Sequence, residues 1–544
     1  MKKINYWLPL WIALGIGAGI LIGNLFSPLG QLSSKKLFGE NRKLDEVLGY
    51  INRAYVDTVN VDNLVERAIP TILSGLDPHS TYIPVKDKQK NDELLSGHFS
   101  GIGVEFIVYK DTVAIVNIIP GGPSEAAGIH PFDRIVYVND SLFTGISQDK
   151  VFLKLRGQNN TKVKLGIKRA SSPDIIDITV TRADVPVKSV NAAYMLTNNI
   201  GYIKISQFGG TTYNEFIRAI AKLKKQGCNS FIIDLQQNTG GYLEASRLMI
   251  QEFLRKDQLI YYTEGRAYKR QDVFADGTGT CQNDQVVVLI DESSASASEV
   301  FSGALQDNDR ALIIGRRSFG KGLVQHQFSF EDGSAMRLTI ARYHTPSGRC
   351  IQKEYQVGQN DSYNQDLVNR FLRGEFYNQD SIKMDNLPLF HTTAGRPVYG
   401  FDGIMPDVFV PRDTIGENSY SIKIFNTGIL REYAFVYSEQ NKNKFREEFR
   451  HWEDAAKYIS TLPLVNELAI YAEQKGVRRR PQLIEESREL LKNYLEAMIL
   501  KNIYGENPYY PISQRNDLLI KKAISFIEEG RATPSAIAEE KYKQ

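Results

Sequence analysis

The chain opens with an apolar run from Tyr6 to Phe26 that carries no charge and follows Lys2 and Lys3. About 20 helical residues cross a bilayer core, and the basic residues before the run favour a cytoplasmic start, a bias that Lys35 and Lys36 beyond it dilute. Residues 1–28 are therefore read as a signal-anchor transmembrane helix. The alternative is a cleaved signal peptide, although no small-x-small cleavage site follows Phe26. Beyond the run the periodicity changes repeatedly. Over residues 29–96, Leu44, Val47, Leu48, Ile51 and Tyr55, then Leu64, Ala68, Ile69 and Ile72, recur at three-to-four spacing and predict helices, followed by a turn at Asp77-Pro78-His79-Ser80. Over 97–182 the texture is short alternating strands (99–106, 113–119, 133–139), with a brief helix closed by Gly128. Over 183–413 apolar strands (200–205, 230–235, 285–290, 311–314) alternate with helices (212–226, 242–255, 296–306), the pattern of an α/β layered core. Residues 414–544 read as charged helices, the clearest at 482–502 and 517–529, with Arg478-Arg479-Arg480 as a solvated turn.

A length of 544 residues fits three to four domains. The 66 basic against 63 acidic residues give +3, which offers no charge field for nucleic acid. Cys228, Cys281 and Cys350 have neither metal nor disulfide spacing and are expected as buried thiols. The histidines are scattered without a His-Glu-x-x-His pair, which removes a zinc peptidase helix.

Three loops of the α/β region carry candidate chemistry. Asn238-Thr239-Gly240-Gly241 joins a strand to a helix, where glycines let backbone N–H groups face an oxyanion; a plain turn is the alternative. Ser293 to Glu299 (SSASASE) opens the next helix. Ser296 there is either a nucleophile near the positive end of the helix dipole or the cap of a Ser-x-x-Glu box. Gly315 to Gly322 (GRRSFGKG) approaches a phosphate-binding loop. Gly322 stands where Ser or Thr would bind magnesium, however, and a hairpin rather than a helix follows.

Taken together, Asp77-Pro78-His79-Ser80, the order Gly101-Ile102-Gly103-Val104 … PGGPSEAAGI … DRIVYVND, Asp234-Leu235-x-x-Asn238-x-Gly240-Gly241, SASASE, Phe319-Gly320-Lys321-Gly322-x-x-Gln325, YHTPSGR and Gly403-Ile404-Met405-Pro406-Asp407 resemble the carboxy-terminal processing, or tail-specific, proteases over about residues 40–412. The resemblance implies a crotonase-like α/β protease core at 183–413 with an inserted PDZ-like β domain at 97–182. It implies Ser296 as nucleophile, Lys321 as general base and Gln325 as its assistant. The oxyanion donors would be the N–H of Ala297 and that of Gly240 or Gly241, with no cofactor or metal. It further implies that Gly101, Ile102, Gly103 and Val104 form the loop that captures a peptide's terminal carboxylate. Gln236 departs from the family's usual arginine after Asp-Leu and puts a structural ion pair in doubt. A Ser-His-Asp hydrolase using His326 or His344 lacks a Gly-x-Ser-x-Gly elbow. A non-catalytic PDZ scaffold would be expected to have lost one of Ser296, Lys321 and Gln325.

A lysine base must be neutral. Its pKa must fall from about 10.4 to roughly 7–8, which burial away from carboxylates supplies. No acid lies between Gly315 and Phe330, and Lys321 and Gln325 share strand parity. The expected whole is an extracytoplasmic serine endopeptidase anchored in a bacterial inner membrane, with its catalytic part in the periplasm. Its substrates would be proteins with apolar, disordered C-termini. The helical flanks are expected to mediate self-assembly, and the expected partners besides substrates are further copies of the chain or an adaptor protein.

Overall fold

The computed structural model describes residues 43–358, 360–384 and 387–534, so the expected membrane span lies outside the described residues. Among the described residues no helix is long and apolar enough to cross a membrane. The chain divides into two units. The first, ending at Leu73, contributes the helix Lys43–Ala54 and most of Val61–Ser74, which has Pro70 inside it. The second begins at Ser74 and holds everything discussed below.

Its centre is a six-stranded sheet in the order 190–195, 200–205, 230–234, 285–290, 312–315, 408–409, the first strand antiparallel and the rest parallel. The inner strands read as unbroken apolar runs because both faces are covered. Successive side chains leave opposite faces. Phe231, Ile233, Val286, Val288 and Ile313 accordingly pack with helices Thr212–Lys225, Leu243–Gln251 and Ala297–Asp307. Ile232, Val287, Leu289, Leu312 and Ile314 pack on the other side with Leu519, Ile520, Ala523, Phe526 and Ile527 of helix Leu518–Glu528.

A second sheet contains the predicted hairpin, Leu323–Ser329 against Ala335–His344. It also contains Thr81–Ile83, a strand in a region read as helical, paired at Ala335–Arg337. Three residues are too few to show a period, so only the tertiary pairing reveals this strand.

The PDZ-like sheet is ordered 104–109, 112–118, 134–138, 162–168, 175–181, with helix Gln148–Leu155 over it. The expected single strand over 99–106 is two strands. His98–Gly101 pairs with Ala183–Pro186 as a tether, and Gly103 at φ 75° turns the chain into Val104–Tyr109.

Helices from Ser419–Asn426 to Tyr509–Ser513 form a core of their own. The helix expected over 482–502 is broken at Ser487 into Pro481–Glu486 and Arg488–Tyr504, where the Ser487 hydroxyl bonds back to the Leu483 carbonyl at 2.8 Å. Arg478, Arg479 and Arg480 lie in an exposed loop. All three cysteines are buried and free, as expected.

Candidate active site

Ser296 stands between strand Gln285–Ile290 and helix Ala297–Asp307. Its backbone sits at φ 56°, ψ −116°, a strained region for a side-chain-bearing residue and unlike the extended conformation of an ordinary cap. The Asn238–Gly241 loop lies directly against it. A Cβ on Gly240 would come within 2.7 Å of the Ser296 Cβ, so glycine is required there. Asn238, fully buried, joins the loops: its carbonyl accepts the Ala295 N–H (3.0 Å) and the Ser298 hydroxyl (2.8 Å), and its amide donates to the Ile205 carbonyl (3.1 Å). Its Oδ1 accepts the Gly240 N–H at 2.9 Å. This corrects the expectation that either glycine could serve as an oxyanion donor. The Gly240 N–H is committed, whereas the N–H groups of Gly241 and Ala297 have no acceptor among the described residues.

Glu299, the acid of the SASASE run, is fully buried and joins serine loop to lysine loop. Its Oε2 accepts the N–H of Ser296 at 2.8 Å and that of Lys321 at 2.7 Å. Its Oε1 accepts the Gly320 N–H at 2.7 Å and the Ser318 hydroxyl at 2.5 Å. One carboxylate oxygen thus bridges the backbones of the two predicted catalytic residues. Burial pushes the Glu299 carboxyl up, and its four donors pull it back. The lysine loop is also held from behind. Arg370 donates to the carbonyls of Ser318 (2.9 Å) and Arg317 (2.7 Å), and Ile404 of the Gly403–Asp407 motif exchanges hydrogen bonds with Ser318 (2.6 and 3.1 Å).

Lys321 is mostly buried, and desolvation lowers its pKa below the ordinary lysine value, with the positive charge of Arg337 adding to the effect. The expectation of no nearby carboxylate is overturned, because Glu299 and Asp77 both act on Lys321 in the opposite sense. They do not win. Asp77 spends its oxygens on neutral donors, the N–H groups of His79 (2.9 Å) and Ser80 (3.0 Å) and the hydroxyls of Thr339 (3.0 Å) and Ser80 (2.5 Å). No ion pair to Lys321 forms among the described residues, so burial decides the direction.

Gln325 donates from Nε2 to the His79 carbonyl at 2.5 Å. The strand-parity argument does not apply to Lys321, which precedes the strand Leu323–Ser329; what the two residues share is His79 of the Asp77–Ser80 turn, bonded by Gln325 and within the field of the Lys321 charge. His79, a residue to which the sequence assigned no role, bonds through Nε2 to the Tyr363 hydroxyl (2.7 Å). Its pKa is pushed down to about 4, chiefly by burial and then by Lys321. Beside it Lys353 lies between the rings of Phe319 and Tyr363 (4.1 and 4.0 Å) and pairs with Asp366 (2.9 Å). The histidines weighed for a Ser-His-Asp site are engaged elsewhere: His326 is exposed against Phe328, and His344 stacks flat on Tyr262. Gln236 leaves no charge unmatched, because Lys204 pairs with the buried Asp234 at 2.9 Å and Gln236 itself donates to Asp234 (3.2 Å).

In the PDZ-like module the carbonyls of Ile102 and Gly103 accept from Ser124 (2.9 Å) and Ile119 (3.1 Å), while the N–H groups of Ile102 and Gly103 have no acceptor among the described residues. Gly101 ends the tether strand, and Val104 begins a strand at the sheet's edge.

A family model for peptidase family S41 matches residues 199–361, and one for the PDZ domain matches residues 89–168. A carboxy-terminal processing protease (CtpA) of Bacillus subtilis is 34% identical over 60% of this chain and 70% of its own length. The chain belongs to the carboxy-terminal processing proteases of family S41. It is therefore a serine-type peptidase with a PDZ domain. A carboxyl-terminal-processing protease of Synechocystis is 31% identical over 65% of this chain and 86% of its own. The solved structure of a photosystem II D1 C-terminal processing protease shares 27% identity over 57% of this chain and 90% of its own, with a TM-score of 0.33. Residues 420–505 match a family of unknown function.

Proposed function

We propose that this peptidase works by a Ser296/Lys321 dyad on proteins whose C-terminal tails its PDZ domain has captured. The observation that carries the reading is the shared Glu299 oxygen, which brings the backbones of Ser296 and Lys321 within hydrogen-bond distance of one atom. The neutral Lys321 amine takes the proton from Ser296 Oγ as Oγ attacks the scissile carbonyl carbon. The negative oxygen of the tetrahedral intermediate is held by the N–H groups of Ala297 and Gly241. Collapse breaks the C–N bond, and the Lys321 ammonium returns its proton to the leaving amine. Water, deprotonated by the same amine, then releases the acyl group from Ser296. Gln325 acts by clamping the His79 turn against the lysine, and its Oε1, which accepts nothing among the described residues, orients the amine without adding charge. The edge strand Val104–Tyr109 takes an apolar tail as an added strand, with its terminal carboxylate at the Ile102 and Gly103 N–H groups.

The apolar run from Tyr6 to Phe26 supports anchorage in a bacterial inner membrane with the catalytic part in the periplasm, a cleaved signal being the alternative. The test uses a disordered substrate with an apolar C-terminus. Ser296→Ala and Lys321→Ala are each expected to abolish cleavage, and deleting the substrate's tail to slow it. Cleavage that survives the lysine change would remove the dyad. Equal cleavage of the tail-less substrate would remove the PDZ role.

A further inference from the structure

Both backbone neighbours of Lys321 are tied to one short segment. The Gly320 carbonyl accepts the Lys353 N–H at 2.9 Å, and the Gly322 N–H donates to Gln352 Oε1 at 2.9 Å. That segment leads into helix Asn360–Leu372. Positions i, i+3 and i+7 share one helix face, and here they are Tyr363, Asp366 and Arg370. All three serve the lysine loop. Arg370 holds the carbonyls of Arg317 and Ser318. Asp366 pairs with Lys353 Nζ at 2.9 Å. Tyr363, only 4% exposed, stands edge-on to Phe319 with ring centroids 6.0 Å apart, and Lys353 Nζ lies 4.0 Å over its ring.

The Tyr363 hydroxyl completes the arrangement. It meets His79 Nε2 at 2.7 Å, and Gln352 Nε2 points at it from 3.5 Å. The His79 carbonyl in turn accepts Gln325 Nε2. One hydroxyl therefore stands between the residue that clamps Gly322 and the residue that holds Gln325. The protonation states suit the bond. Burial pushes the Tyr363 phenol up, so it keeps its proton, and the His79 ring, pushed down to about 4, is neutral and offers one accepting nitrogen. Tyr363 belongs to none of the motifs read in the sequence.

We propose that Tyr363 is a positioning residue for the Lys321 base, its hydroxyl locking the Gln352 clamp of the lysine loop to the His79 turn that holds Gln325. This rests on the reading of Lys321 as the base. The test measures kcat, KM and their pH profiles for the full chain in detergent, on a disordered substrate with an apolar C-terminus. Tyr363→Phe keeps the ring contacts and removes only the hydroxyl. It should lower kcat about tenfold and leave KM unchanged, because the base is displaced while tail capture is untouched. The loosened turn also admits water to the amine, so the acid limb of kcat/KM should move to higher pH. The charged groups that act on Lys321, namely Arg337, Glu299 and Asp77, make no hydrogen bond to Tyr363 and stay in place. His79→Ala should reproduce both effects, and Tyr363→Phe added to it should cost nothing more. His79→Gln, whose amide nitrogen can stand where Nε2 does, should recover most of what the alanine loses. Parent-like kcat in Tyr363→Phe overturns the inference and leaves the dyad intact. So does a fall in kcat with an unmoved acid limb, which marks a smaller active fraction, and so does a further loss in the double variant or no recovery in His79→Gln. Cleavage that survives Lys321→Ala overturns the dyad and the inference together.

Discussion

At Lys321 four influences meet, two against two, and their balance gives a pH dependence with a definite sign. Burial and Arg337 lower the pKa, while Glu299 and Asp77 raise it. Because the base is the neutral amine, activity should rise with pH through the Lys321 pKa and level off above it, at an inflection below the ordinary value of about 10.4. Arg337→Gln removes a positive charge that disfavours the ammonium. The acid limb of kcat/KM should then move to higher pH, with the plateau nearly unchanged. A pH profile of the variant checks this, and a limb that stays in place or moves to lower pH would contradict the assigned balance. Ser296, Lys321 and Gln325 were legible in the sequence because a nucleophile, a base and a helper stand in an ordered set of loops. Asp77, His79 and Glu299 stood in the same motifs, yet their roles were not legible. A carboxylate's effect on a lysine depends on which donors already occupy its oxygens, and only the fold shows that. The Ser-x-x-Glu spacing drew attention to a cap, whereas Glu299 reaches past Ser296 to three groups of the lysine loop.

At the scale of elements, the helix that begins at Ser296 is fixed at its far end by the YHTPSGR segment. Arg349 pairs with Asp307 at 2.8 Å, both side chains fully buried, and also donates to Gln306 (2.7 Å) and the Tyr399 carbonyl (2.9 Å). Arg349→Ala would leave the Asp307 carboxylate buried without its cation, a loss of about 3–5 kcal/mol. Arg349→Met/Asp307→Leu removes both charges and should recover much of it. Denaturant unfolding of the Ser296→Ala protein and its variants measures this, and a single variant as stable as its parent would show that the pair does not anchor the helix. The strands and helices of the core were legible because both-face burial writes long apolar runs. The brief Thr81–Ile83 strand and the break at Ser487 were not, since each is decided by a partner distant in sequence or by one side-chain hydrogen bond.

At the scale of the molecule, the C-terminal segment serves two structures. Residues from Ser419 to Ser513 close on a helical core beside the PDZ domain, but helix Leu518–Glu528 returns to the central sheet and covers the face opposite the serine helix. In the sequence both stretches look like charged, amphipathic helices, and amphipathicity does not say which apolar surface a helix will meet. The placement predicts that damage to the last helix reaches the protease core. Phe526 is 4% exposed and packs in the same cluster as Leu289 and Ile314, so Phe526→Ala should cost about 3–5 kcal/mol. The strands Leu289 and Ile314 belong to lead into the serine and lysine loops, so the loss should appear as a lower midpoint for thermal inactivation of peptidase activity. Leu468→Ala, in the separate helical core, should destabilise that region while leaving cleavage of a short tail-less peptide near the parent's rate at moderate temperature. If the two substitutions lowered the inactivation midpoint equally, the segment would be a single cooperative unit, and the sheet would not depend on its last helix in particular.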